Sequence, residues 1–271
     1  MERWKLLMIF PALLLAISIL VLINNYVKRG EIIEKDVELT GGMVISVPVR
    51  GELNLEKLEE GLEDVSVRLV GGSPPMLIIQ SPERNATKIL ESLREFVNYD
   101  LEEVEIGDIE PVLGEVFWEQ GKMALALAFT SIALVIFLLF RSPIPCFTVI
   151  LCSISNFIIT LAAMSIFGVY LSLATLGALL MMLGYSIDTN MLLTTAVLKR
   201  KGDIESNIKK VRKTGLTITL VGLLSLLPIY FLSNNPVVQE ISFVLGVGIA
   251  AEAVNTWIQN AGILRWWVMR R

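Results

Sequence analysis

The chain of 271 residues contains no histidine. That removes the commonest metal ligand, the usual general base and the usual proton-shuttling side chain together. No Ser/His/Asp set can be assembled from it. There are two cysteines, Cys146 and Cys152, six residues apart in one apolar stretch. On a helix they stand about 9 Å apart, too far to bridge. They have no metal-ligand spacing and read as small apolar residues. A phosphate-cradling loop is missing too, because "TGG" and "VGGSPP" are turns rather than strand-to-helix cradles. These absences predict no metal, no cofactor and no enzymatic chemistry. Charge is missing from long stretches of chain, and that absence says most about the protein.

Uncharged apolar runs occupy Leu6–Ile23, Met123–Phe140, Ser142–Ile187 and Thr214 to about Leu232, and a last apolar run from about Val238 to Leu264 contains Glu252. Soluble domains do not carry several such runs of about 18 residues or more, so the chain is a polytopic membrane protein. The mean hydropathy of +0.66 agrees. The first run leaves through "NNYVKRG" without a small-residue cleavage signal, which favours a retained anchor. The weak break "FGVY" divides the longest run in two. Six transmembrane helices are expected: one within residues 1–28 and five forming a bundle over 120–265. The five spans fall at about 121–140, 144–166, 171–197, 214–232 and 238–264, before a basic tail at 266–271.

Charge then sets orientation. The loop Lys199–Lys213 holds seven Lys or Arg, and the tail and N-terminus are also basic. By the positive-inside rule this side is cytoplasmic, with both termini, in the cytoplasmic membrane. Glu31–Glu119 lies opposite, with 21 Asp or Glu against seven Lys or Arg. Nothing suggests nucleic acid; the basic residues hug a membrane surface, where lipid is the expected partner.

Residues 31–115 read as one extracytoplasmic domain. Strand signals at Val37–Val49, Val65–Val70, Met76–Gln80 and Leu101–Ile109 alternate with amphipathic helices at Asn54–Asp64 and Asn85–Tyr99. The order β-α-β-β-α-β is that of an α+β ferredoxin-like domain. Its dispersed carboxylates read as a solvated acidic face or as a docking surface for a polypeptide or partner.

Inside the membrane, Asp188 stands out. A carboxylate at membrane depth costs roughly 2.5–3.5 kcal/mol on insertion scales. Gly177, Gly184 and Thr195 share its helical stripe. Small residues there predict close approach of another helix, with the acid facing protein. In the last span Gly248, Glu252, Asn255, Thr256 and Gln259 form a second polar face. Thr214, Thr217 and Ser225 in the fifth span, and Ser153, Asn156 and Thr160 in the third, form similar lines. These stripes predict a bundle with a hydrated or hydrogen-bonded centre. A carboxyl so placed can take a proton from one side and release it to the other. It can equally do nothing but hydrogen-bond across a helix interface, at about 0.6 kcal/mol. A carboxylate pair sharing one water, for intramembrane proteolysis, would need Asp188 and Glu252 to meet.

Several stretches together resemble the SecF family of protein-export membrane proteins, relatives of the proton-driven RND transporters. "DVELTGG" is similar to the family's Gly-Gly motif after the first span, and "IEPVLGE" to its Pro-x-Leu-Gly motif before the second. "GYSIDTNMLL" matches the acid-bearing Gly-Tyr-Ser stretch, and "RKTGLTITL" the Thr-Gly-Leu-Thr signature of the fifth span. "NTWIQNAGIL" looks like the archaeal branch. SecD carries a similar Asp-x-Asn but a much larger outside region. Bacterial relatives follow the acidic motif with an acidic-Arg pair, where this chain has "TTAVLKR".

The resemblance implies a subunit that works with SecD at the translocon, the SecY complex. Its implied role is to use the proton-motive force to complete export of a translocating polypeptide. It implies proton coupling at Asp188, with Glu252 a second candidate from its depth and stripe. Gly41, Gly42, Pro111 and Gly114 match the motif positions where a hinge or tight packing is expected. Gly184, Tyr185 and Gly215 fall in the matching stretches of the fourth and fifth spans. Two other readings stay open: an RND-like proton-coupled carrier of a small molecule or lipid, and a purely structural scaffold in which the acids only cement helices.

Overall fold

The computed structural model describes residues 6–49, 58, 65–70, 75–81, 85–94, 96–97, 99–100, 103–199, 203–233 and 235–270. Six helices are long and apolar enough to cross a membrane. They are α1 (Ile9–Arg29), α3 (Pro111–Phe140), α4 (Pro143–Ile166), α5 (Leu173–Leu198), α6 (Ile204–Leu232) and a last span from Pro236 to Val268. The last span is composite: α7 (Pro236–Val254), a π-helical segment (Asn255–Asn260) and α8 (Ala261–Val268). At about 1.5 Å per residue each crosses a hydrocarbon layer of ~30 Å. The chain is thus a multi-pass membrane protein with six spans.

The helix limits follow local chemistry. Proline opens α3, α4 and α7, where its missing N–H costs nothing. Ser172 and Thr175 close a capping box at the start of α5. Asp203 accepts from the Ser206 amide and starts α6 at Ile204, so most of the stretch read as a basic loop is helix. Helix α3 begins at Pro111, well before the apolar run, because its first turns are held against the Leu39–Gly41 backbone.

Between α1 and α3 lies a four-stranded antiparallel sheet of order β2-β3-β1-β4: β1 (Gly42–Pro48), β2 (Ser66–Val70), β3 (Met76–Ser81) and β4 (Glu105–Ile109). The helix α2 (Ala86–Leu93) follows β3, and Asn85 caps it by accepting from the Lys88 amide. Met43, Ile45 and Val47 of β1 pack with Leu77, Ile79, Leu58, Ile89 and Leu93 as a separate core. The expected helix Asn54–Asp64 lies outside the described residues, apart from the buried Leu58.

Two expectations change. The strand expected from Val37 begins only at Gly42. Val37–Thr40 instead make a helical turn, because Asp36 accepts from the Glu38 amide and Gly41, at φ 77°, turns the chain out of it. The helix from Asn85 ends at Leu93, and Tyr99 donates its hydroxyl back to the Leu90 carbonyl (2.7 Å).

Candidate functional site: two polar faces of one membrane helix

Helix α5 carries polar residues on both of its faces. The inner face presents Ser186, Thr189, Asn190 and Thr194, all buried. It meets the polar stripe of α4, where Ser153, Asn156 and Thr160 are fully enclosed, and that of the last span. The contacts form one chain of amides. Asn255 donates to Asn156 (2.5 Å), Asn156 donates to the Ser186 hydroxyl (2.9 Å), and Asn190 donates to the Ser186 carbonyl (2.8 Å). Asn260 then donates to Asn190 (2.6 Å). In a low-dielectric interior such a chain is strong when complete, and it ties three helices in one register.

The π-helical segment carries the last span's share of these contacts. Asn255, Thr256, Gln259 and Asn260 all lie on its inward, buried side. Sequence spacing identified the first three and Glu252, but not Asn260. The available signal was the doubled polar pairs 255–256 and 259–260, one residue more than a 3.6-residue stripe uses. Glu252 is 0% exposed and accepts from the Thr256 hydroxyl (2.7 Å), with its other oxygen unpartnered among the described residues. Thr189 faces the same carboxyl. Gly248, one turn earlier, lies against the Met182 side chain, where a Cβ would collide. That contact is what brings α7 close to α5.

The outer face of α5 is different. Leu173, Gly177, Met181, Gly184 and Asp188 form an exposed stripe. A Cβ added at Gly177 or Gly184 would meet nothing within 4 Å. The helix expected to approach this stripe is not supplied by this chain among the described residues. The small residues leave a slot, and no described helix of the chain fills it. Asp188 and Glu252 consequently do not share a site: one opens outward and the other is enclosed. Thr195, further along α5, is half-buried.

The fifth-span line is also corrected. Thr217 and Ser225 are exposed and return their hydroxyls to the Lys213 and Val221 carbonyls of their own helix. That bond satisfies them without any neighbour. The inward residues of α6 are Asn207, Ile208, Val211, Gly215 and Thr219. Gly215 is a seat for the Trp257 ring, which a Cβ would strike. Tyr185 points its hydroxyl toward Gly222 of α6.

The motif glycines lie elsewhere, at the junction with the sheet domain. A Cβ on Gly114 would come 2.6 Å from the Gly41 nitrogen, so two backbones touch there. Gly42 sits at φ 138°, and a Cβ would meet the Ser81 carbonyl at 2.7 Å. Pro111 opens α3 just before this contact. Gly41, Gly42 and Gly114 are thus close-packing positions. Asp36 binds the same junction together. Its carboxylate accepts from Gln80 of β3 (2.6 Å) and from the Glu38 amide, and its amide donates to the Leu171 carbonyl (2.9 Å). Leu171 donates back to Glu34 (2.9 Å), and the Glu38 carboxylate accepts from the Leu173 amide (3.0 Å) at the first turn of α5. A negative charge at a helix N-terminus is favourable. A cleft of about 900 Å³ beside this junction is lined by Arg29, Glu34, Lys35, Gln80, Ser165 and Tyr170 among others. Among the described residues no three His, Cys, Asp or Glu side chains gather as metal ligands.

Six spans around a hydrogen-bonded polar centre, with a sheet domain locked to one end, define a polytopic α-helical membrane protein of the transport-associated kind. The family described as "Protein export membrane protein SecD/SecF, C-terminal" matches residues 88–270. The chain belongs to this SecD/SecF family. It is 38% identical to the protein-export membrane protein SecF of Pyrococcus furiosus, over 98% of this chain and 92% of that one. With SecF of Methanocaldococcus jannaschii it shares 33%, over 94% of each. Its fold is similar to the crystal structure of SecDF, a translocon-associated membrane protein, from Thermus thermophilus. That match has a TM-score of 0.81 at 17% identity and covers 98% of this chain but 38% of the SecDF chain.

Proposed function

We propose that this chain is the SecF-type subunit of a protein-export complex in the cytoplasmic membrane, with both termini cytoplasmic. It pairs with SecD and acts at the SecY translocon to promote late, proton-motive-force-dependent steps of polypeptide translocation. The observation that carries this reading is the uncovered face of α5: an ionisable residue at mid-span, flanked by Gly177 and Gly184, on a surface with room for a foreign helix. An acid left in lipid would be costly, so this face needs a cover. The likeness to SecDF over 38% of that longer chain supports a SecD-type bundle as the cover.

In this reading Asp188 is the proton-coupling group, and its protonation alters how α5 meets the partner. Helix α5 reaches from Asp188 to Leu173, about 22 Å away. There the Glu38 and Leu171 bonds connect it to the outside domain. A shift of α5 is thereby carried to the module that handles the emerging polypeptide. Glu252 is the second protonatable group, enclosed on the inner side and able to bias the π-helical register.

The test is export of a secreted protein in cells whose only copy carries Asp188→Asn, while the proton gradient is titrated away. Asparagine keeps size and hydrogen bonding but cannot ionise. The expected outcome is an assembled complex, by co-purification with SecD, that has lost gradient-dependent export. Export with intact gradient dependence would make Asp188 a packing residue.

A further inference from the structure

At the opposite end from the sheet domain, a cleft of about 400 Å³ opens between the start of α1, α6 and the last span. Its rim holds Arg212 on α6 and Arg265 on α8. Deeper in the cleft the lining turns apolar, with Leu216 one turn from Arg212 on α6, and Ile258 and Val254 about two and three turns from Arg265 on the last span. Two cations at one level above apolar walls match an amphiphile with an anionic head. Trp266 and Trp267 adjoin Arg265, and the Arg270 guanidinium lies 4.3 Å from the Trp266 ring centre. Tryptophan and arginine together mark the headgroup depth of a bilayer.

The charge balance leaves the rim positive. Arg265 donates through Nη2 to Glu205 (2.9 Å), and its Nε meets no acceptor among the described residues. Arg212 is exposed and has no partner among the described residues. Asp203, the other carboxylate of the neighbouring recess, is occupied in capping α6. Lys209 lines that recess as well. Two carboxylates therefore face three cations, and one positive charge is left over.

We propose that this cleft is a specific site for an anionic phospholipid. The phosphate rests between Arg212 and Arg265, and one chain lies along Leu216, Val254 and Ile258. Basic pockets between transmembrane helices bind anionic headgroups in this manner. The apolar wall distinguishes a lipid from free phosphate, which would gain nothing from it.

Trp257 also lines the cleft and serves as a reporter. The full chain is reconstituted in phosphatidylcholine vesicles containing either brominated-chain phosphatidylglycerol or, at the same fraction, brominated-chain phosphatidylcholine. The Trp257 fluorescence is the difference between wild type and Trp257→Phe. The anionic lipid is expected to quench that component several-fold more than the zwitterionic one, and Arg212→Gln with Arg265→Gln is expected to erase the excess. Equal quenching by both lipids, or an excess that survives the double substitution, overturns the proposal. No excess quenching by the anionic lipid, with inorganic phosphate alone shifting the Trp257 emission, would assign the rim to free phosphate and overturn it equally. Because the Trp257 ring rests on Gly215, Trp257→Phe could loosen the bundle. Native mass spectrometry of wild type against Arg212→Gln, counting retained phosphatidylglycerol, gives the same decision without it. Arg212 is exposed, and its loss disturbs no described contact. Equal retention in both proteins overturns the site.

Discussion

Asp188 and Glu252 lie on helices that touch at Gly248 and Met182, and at similar depth. Counted along their helices, Asp188 is about 16 Å from Lys199 and Glu252 about 20 Å from Arg265. Small or polar neighbours recur at helical spacing around both. Yet Glu252 is wholly enclosed beside Thr256 and Thr189, while Asp188 opens on a face lined by Gly177 and Gly184. The inner face of α5 has its partners in this chain, and the outer face does not. A stripe of small residues around an acid therefore means that something packs there, without saying whether the same chain supplies it. The difference assigns the two acids different tasks: Glu252 answers to the internal register of the bundle, and Asp188 to whatever covers α5.

The largest expected effect along this comparison is the loss of gradient-dependent export in Asp188→Asn, because an uncovered ionisable group has no structural role within the chain to fall back on. Next come paired glycine substitutions, one on each face. Gly248→Leu drives a side chain into Met182 and should cost the isolated chain about 1–3 kcal/mol, the usual range for overpacking. Gly184→Leu meets nothing within the chain and should change its stability by less than ~0.5 kcal/mol. It should instead abolish co-purification with SecD, since it fills the slot that the partner needs. Thermal unfolding of each purified chain, beside a pull-down with SecD, reads both. If Gly184→Leu destabilised the chain alone, the two faces of α5 would not differ as described.

A smaller effect belongs to the amide chain. Asn190→Leu removes the acceptor for Asn260 and the donor to Ser186 together. Hydrogen bonds between membrane helices average about 0.6 kcal/mol and reach about 1.7, so a loss near the upper figure is expected for a residue holding both ends. Unfolding of the purified chain measures it. Hydrogen exchange should show the added opening along Asn255–Asn260, which the bond to Asn260 holds.

Much of this was legible in the sequence, because a membrane simplifies the problem. Runs without charge must span, and polar residues within them must find partners, so six spans and the polar stripes of the third and last helices follow from spacing. The four-stranded sheet was readable from β-branched runs, except where one capping side chain, Asp36, outweighed the strand propensity of Val37–Thr40. The π-helical segment was not readable, because its register depends on Asn156 and Asn190, on helices remote in sequence. Which neighbour the Asp188 stripe meets was not readable, because helical periodicity specifies a face but not what packs on it. The motif glycines were expected at a hinge or at tight packing, and their contacts, Gly41 against Gly114 and Gly42 against Ser81, required the fold.

The smallest expected effect concerns α6 and separates polarity from function. Thr217 falls on a helical line with Thr214 and Ser225 that resembles the productive stripes elsewhere. Its side chain is exposed, and its hydroxyl is already spent on the Lys213 carbonyl (2.9 Å). A threonine bonded back to its own helix needs no neighbour, and such back-bonding slightly weakens the helix. Thr217→Ala should therefore shift the stability of the purified chain by less than ~0.5 kcal/mol and leave SecD pull-down and export unchanged. A clear export defect with normal assembly would show that the exposed side of α6 also works against a partner. The contrast drawn for α5 would then extend to a second helix.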